Sequence, residues 1–186
     1  MSMTPDEARA LMNEWTASEA LRIHMESVAA CMAAYADKLE PDQKERWVVA
    51  GLLHDMDYEK HPTQEEHPFI GVEHLRTNTD VDDEIITAIL GHAEYSGTPR
   101  ESKMAKALFA VDELAGFIGA CCKVRPNGIA DLAPKSVKKK LKTVAFAAAV
   151  NRQDIATGIE ELGVEQTEHI QVCIDAMRGE KERLGL

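Results

Sequence analysis

Aromatic side chains make up only 5% of this chain, while Ala, Leu, Glu and Lys are abundant. That mix favours helix, because unbranched side chains lose little freedom on a helical backbone. No segment shows the sustained alternation of a half-buried strand, and no internal repeat is visible. Positive charge is also short. The 21 Lys and Arg stand against 32 Asp and Glu, a net charge of −11. An acidic surface repels polyanions, which argues against a nucleic-acid binder and against an anionic membrane as partner. A small phosphorylated substrate stays open, provided a local positive centre meets it. Long apolar runs are missing, and the longest, near Ala145–Val150, is far too short to span a bilayer. Cys31, Cys121, Cys122 and Cys173 form no C-x-x-C pair. They read as reduced core residues of a cytoplasmic protein. The opening Met1-Ser2-Met3-Thr4-Pro5-Asp6-Glu7 lacks the basic-then-apolar pattern of a secretory signal.

What is present is a globular content of apolar residues, 45% of 186. That is enough for one all-α domain of about eight helices spanning 1–186. The pattern divides it into a core of about 18–124 and a C-terminal helical extension, 125–186. The chain is organised around Val48-Val49-Ala50-Gly51-Leu52-Leu53-His54-Asp55, an apolar run that stops at a histidine and an aspartate. On a helix, Trp47, Ala50, Gly51 and His54 share a stripe, so His54 points where the core lies. Asp55 follows about 100° further round and can reach inward from a helix end. A buried carboxylate costs several kcal/mol unless it is paired, hydrogen-bonded or bound to a metal.

The same pattern recurs along the chain. Thr4 caps a short helix to about Trp15, with Pro5 at its first position, and Ser18 caps the next, to about Leu39. On the latter, Leu21, His24, Val28, Cys31 and Tyr35 form the inward stripe. Residues 56–66 read as a loop, and His67-Pro68 opens a helix with Pro68 at its first position. Asp80 or Asp82 caps a helix on which Ile85, Ile89 and His92 share a face. Glu101 or Ser102 starts a long helix to about Val124, with Asp112 at the edge of its apolar face. Pro134 and Ser136 begin a helix that is basic early and Ala-rich late, with Val137, Leu141, Val144 and Ala148 inward. Two further helices end near Leu162 and Arg178.

His24, His54, Asp55, His92 and Asp112 thus all fall on or beside apolar stripes, with His67 at a helix start. Any one of these imidazoles reads most simply as a hydrogen-bonded core histidine. Together they would bury several polar groups on separate helices for unrelated reasons, whereas one metal site compensates them all. Imidazole and carboxylate without thiolate are the ligand set of Fe, Mn, Zn, Co or Ni, and mixed N/O sites keep an open position for water or substrate.

The order His24 … His54-Asp55 … Asp112 resembles the HD domain of metal-dependent phosphohydrolases. The flanks carry the likeness further: Leu21-Arg22-Ile23-His24, Ala50-Gly51-Leu52-Leu53-His54-Asp55 and Ala110-Val111-Asp112-Glu113-Leu114. His67-Pro68 with Gly71, and Ile85 to His92, are similar to the extra histidines of binuclear members such as the HD-GYP phosphodiesterases and the HD-type diadenosine tetraphosphate hydrolases. The segment from Val124 to Arg152 resembles a bacterial HDIG-type hydrolase subgroup and supplies no substrate. Ala93 and Glu94 follow His92, and no Gly-Tyr-Pro segment is present, which sets the chain apart from the HD-GYP enzymes. The resemblance implies that His24, His54, Asp55 and Asp112 hold a first divalent transition metal. It implies that Asp55 bridges to a second held with His67 and His92, so that one or two ions polarise a phosphoryl group and activate a water. His54 and Asp55 are the residues it places at the catalytic centre. A non-catalytic HD module that senses a nucleotide or a partner, and a structural metal staple, are the competing readings.

Lys135, Lys138, Lys139, Lys140 and Lys142 form a basic run, read first as a solvated helix face. Arg125, Lys139 and Arg152 are the residues of this region that could grip a substrate phosphate. Asp57 and Tyr58 read as an exposed loop acid and aromatic, with the cleft wall as the alternative. His61, His74 and His169 receive no role, and Met12, Met25, Met32 and Met104 read as core filler.

Overall fold

The computed structural model describes residues 3–186; Met1 and Ser2, the start of the segment read for a targeting signal, lie outside it. Ten α-helices and no strands occur among the described residues. They are α1 Pro5–Trp15, α2 Glu19–Leu39, α3 Lys44–Leu53, α4 Phe69–Asn78, α5 Asp83–His92, α6 Lys103–Lys123, α7 Pro134–Leu141, α8 Arg152–Leu162, α9 Gln166–Gly179 and α10 Lys181–Leu184. The surplus over the expected eight includes the four-residue α10. No described helix is long and apolar enough to cross a membrane.

The starts are set by side-chain caps. Thr4 and Glu7 form a reciprocal capping box on α1, and Ser18, Asp82, Ser102 and Asn151 accept from first-turn amides of α2, α5, α6 and α8. α2 and α6, each 21 residues long, form the centre. α2 packs on α3, α6 and α9, and α6 also packs on α5 and α8. Trp47, Phe117, Met12, Met25 and Met32 are fully buried between them.

Two glycines let helices cross at backbone distance. A Cβ on Gly51 would lie 2.6 Å from Ala29 Cα, so α3 rests directly on α2. A Cβ on Gly158 would lie 2.6 Å from Ala110 Cα, which seats α8 on α6 in the same way. The first crossing brings the end of α3, with His54, alongside His24 of α2. The end of α5 is fixed by Arg100. Its guanidinium donates to Gly91 O at 2.9 Å, pairs with Glu94 at 2.8 Å and Glu161 at 2.6 Å, and lies 3.7 Å over the Phe109 ring. One arginine thereby ties α5, α6 and α8 together beside His92.

Two boundaries differ from the sequence pattern. Pro68 is the N-cap residue and α4 starts at Phe69. The basic helix stops at Leu141 instead of running through the Ala-rich stretch, and Val144 is 83% exposed. The stretch beyond it wraps around Arg152, whose guanidinium donates to the carbonyls of Thr143, Phe146, Ala147 and Val150. Two of those carbonyls also accept amides three residues on, Phe146 N to Thr143 O at 3.0 Å and Val150 N to Ala147 O at 3.0 Å, so the stretch turns in tight i+3 bonds in place of the i+4 ladder.

Gly51→Val is expected to lower stability by about 1–3 kcal/mol, because the α2–α3 crossing must open to admit the side chain. Urea denaturation of the two proteins measures the difference.

Candidate metal centre

The fold carries six imidazole and carboxylate side chains from five separate helices or their ends to one place. His24 comes from α2, His54 and Asp55 follow α3, His67 precedes α4, His92 ends α5, and Asp112 lies in α6. Asp55 is in the middle, with its two oxygens facing opposite ways. Its Oδ2 lies 3.6 Å from His24 Nε2 and 3.5 Å from His54 Nε2. Its Oδ1 lies 3.3 Å from both His67 Nε2 and His92 Nε2. Asp112 Oδ1 closes the first group, 2.9 Å from His24 Nε2 and 3.4 Å from His54 Nε2. His24, His54 and Asp112, and again His54, Asp55 and His92, bring ligand atoms within 4.8 Å of one another and could each hold a metal ion.

The outer ring nitrogens decide the tautomers. His54 Nδ1 faces Gly51 O at 2.8 Å, and His92 Nδ1 faces Ile89 O at 2.5 Å. A carbonyl oxygen only accepts, so both Nδ1 atoms carry hydrogen. His67 Nδ1 donates to Asp57 Oδ1 at 2.7 Å, and the other oxygen of Asp57 accepts from Gly71 N at 2.6 Å. In all three neutral rings the Nε2 lone pair therefore points inward. His67 Nε2 and His92 Nε2 stand 3.2 Å apart, lone pair toward lone pair, and His54 Nε2 is buried with no hydrogen-bond partner. Such an arrangement calls for a cation between the groups. The donor set, neutral imidazole with carboxylate, fits a divalent transition metal.

The electrostatics agree. Burial opposes charge on His54, but Asp55 and then Asp112 outweigh it and hold the imidazole well above its usual pKa. Burial likewise works against His67, which bonds to Asp55 and Asp57 raise to about 9. Against burial, the charge of His54 holds both Asp55 and Asp112 below the usual carboxylate range. The pocket draws positive charge, supplied by protons when nothing else supplies it.

A cleft of about 700 Å³ opens over the cluster, walled by Tyr58, Tyr95, Glu113, Asn151 and Asp154. No lysine or arginine lines it. Tyr95 donates to His67 O at 3.0 Å, and the Tyr58 ring packs edge-on to His67 with centroids 5.1 Å apart. Glu113 accepts from Asn151 N at 3.0 Å; burial, with Asp112 beside it, pushes its carboxyl up to about 7.

All six residues read from the sequence as ligands converge. Arg125, Lys139 and Arg152, read as substrate contacts, are absent from the lining of this cleft. Arg152 is spent on backbone carbonyls, Arg125 pairs with Asp131 at 2.8 Å, and Lys139 stands exposed on α7. Asp57, read as a loop acid, is instead 1% exposed and orients His67. The signal for it was thin: one acid two residues beyond the pair, next to the equally buried Met56. Glu113 and Tyr95 carried none. His169, given no role, is fully buried between the Tyr35 hydroxyl and Ala110 O and joins α9 to the core.

A helical bundle that gathers four histidines and Asp112 around the Asp55 carboxylate has the donor set of a divalent-metal centre. The sequence pattern of the HD domain family matches residues 21–116, just over half of the chain, and the chain belongs to that family. The family consists in general of metal-dependent hydrolases, phosphohydrolases among them. No curated protein and no solved structure matched the chain.

Asp57→Asn retains an acceptor for Gly71 N but turns an amide toward His67 Nδ1, which frees the wrong tautomer. Affinity for a divalent metal at the His67–His92 side is expected to fall about 10–100-fold. Metal titration followed by elemental analysis reads it, with the circular dichroism spectrum unchanged.

Proposed function

We propose that the protein is a metal-dependent phosphohydrolase that cleaves a phosphate ester of a small metabolite, a nucleotide or a related compound. One observation carries the reading: Asp55 turns one oxygen to the His24–His54–Asp112 group and the other to the His67–His92 pair. A single carboxylate placed between two sets of donors is suited to join two ions. His24, His54, Asp55 and Asp112 would hold one, and Asp55, His67 and His92 the other. Divalent ions bound there supply Lewis-acid polarisation of a phosphoryl oxygen and lower the pKa of a water to near neutrality.

The chain's own residues do the rest. Asp57 holds the His67 ring in the tautomer that aims Nε2 inward, while the Gly51 and Ile89 carbonyls do the same for His54 and His92. Arg100 fixes the end of α5, so His92 keeps its place. The cleft has no cationic side chain of its own, so a phosphoryl group seated there must be met at the ligand cluster. Tyr58 and Tyr95, both about half exposed, offer flat apolar faces at the mouth to the organic part of the ester.

Asp55→Ala is expected to lose bound metal and to lower phosphate release by three orders of magnitude or more, since it removes a ligand common to both donor sets. Elemental analysis, then a phosphate-release screen over nucleotides, dinucleoside polyphosphates and sugar phosphates, tests it. Retention of both metal and activity in the variant sinks the reading. Chelation should abolish release while the helical spectrum persists; global unfolding would point to a structural staple. A metal-loaded protein inactive on the whole panel would point to a binding module.

A further inference from the structure

Arg125 and Lys139 do meet, at a place of their own. The C-terminal end of α6, one face of α7 and Thr143 enclose a pocket of about 320 Å³, separate from the metal cleft, with which it shares no lining residue. Its polar lining is Arg125, Lys139, Lys140, Ser136 and Thr143, and no carboxylate lines it. In a chain of net charge −11 that is a local inversion of sign.

The cations differ in how they are held. Arg125 is fixed by Asp131, through the carboxylate at 2.8 Å and the backbone carbonyl at 3.3 Å. Its Nε is buried without a hydrogen-bond partner, so the fork is oriented and one donor is unused. Lys140 lies over the Phe146 ring, 4.5 Å from its centroid. Lys139 has no side-chain hydrogen bond or ion pair among the described residues, and neither has the hydroxyl of Ser136 or of Thr143. Elsewhere in the basic run Lys138 is already engaged, donating to Thr167. Lys139 and Lys140, which line the pocket with Arg125, are thus the ones turned to a ligand.

An oriented guanidinium, two ammonium groups and two free hydroxyls match the oxygens of a phosphate group. The floor is apolar, with Cys121 and Leu132. Burial pushes the Cys121 thiol up to about 11, so it adds no negative charge. We propose that this pocket binds the phosphate group of a small phosphorylated molecule, independently of the metal centre. The volume suits a small molecule rather than a polymer, and the chain's net charge of −11 repels a polyanion. Pocket and cleft also share a wall segment: Thr143 lines the first, and Ala149, Val150 and Asn151, at the other end of the stretch gathered on Arg152, line the second.

The test is calorimetric titration of inorganic phosphate and pyrophosphate into the full-length protein before and after chelation. Lys139→Glu, Arg125→Gln and Asp112→Asn are run beside it. Binding is expected to survive chelation and Asp112→Asn, and to weaken at least tenfold in Lys139→Glu, with metal content unchanged in that variant. Lys139 is exposed, so its replacement leaves the fold intact even if Arg125→Gln does not. Unchanged affinity in Lys139→Glu overturns the proposal. So does loss of binding on chelation or in Asp112→Asn, which would assign the anion to the metal centre, and so does equal binding of chloride at matched ionic strength.

Discussion

The site depends on one carboxylate held among imidazoles. Asp55 is largely withdrawn from solvent at the floor of the cleft, with one oxygen turned to the His24 side and the other to the His67–His92 side. Left to itself, an ionised carboxylate in that position would be strongly unfavourable. The surrounding histidines make it tolerable by presenting either protons or lone pairs that share a cation with it. Every helix that carries one of those rings must therefore keep its position to within a fraction of an ångström, and the packing shows how this is done.

The holding devices are short-range and rigid. Gly51 allows α3 to touch α2 at backbone distance, which sets His54 against His24. Arg100 draws the end of α5 to α6 and α8 through Gly91 O, Glu94 and Glu161. Asp57 locks His67 from behind and, through Gly71 N, locks the start of α4 as well. His54, His67 and His92 are thus each positioned by a group outside the centre. Such partners keep a metal site at fixed geometry.

Charge is sorted across the surface of the fold. The cleft over the cluster holds carboxylates, tyrosines and histidines but no lysine or arginine, while the pocket beside α7 holds cations and no carboxylate. An anion therefore meets two different environments. In the cleft it can be balanced only at the ligand cluster, whereas in the second pocket the side chains themselves balance it.

Much of this was legible in the residues alone. Helix caps at Thr4, Ser18, Asp82 and Ser102 are local events, decided by one side chain and the next three amides, so they can be read from sequence. The ligand residues are legible for a related reason. A histidine or aspartate on an apolar helical stripe has to face the core, and a buried polar group needs a partner. Asp57 escaped because its burial is created by α4 folding back over a turn, which no period in the sequence announces. The end of α7 and the positions of Arg125, Lys139 and Arg152 escaped for the same cause. The Ala-rich stretch is intrinsically helical, but one guanidinium captures its carbonyls from outside. Sequence by itself determined the helical class, the side-chain-capped helix starts and the set of groups that must share a site, because those follow from local propensity and from the cost of burial. Tertiary structure alone decided which acid orients His67, and that Arg125 and Lys139 face a pocket of their own, because these depend on how separate segments fold against one another.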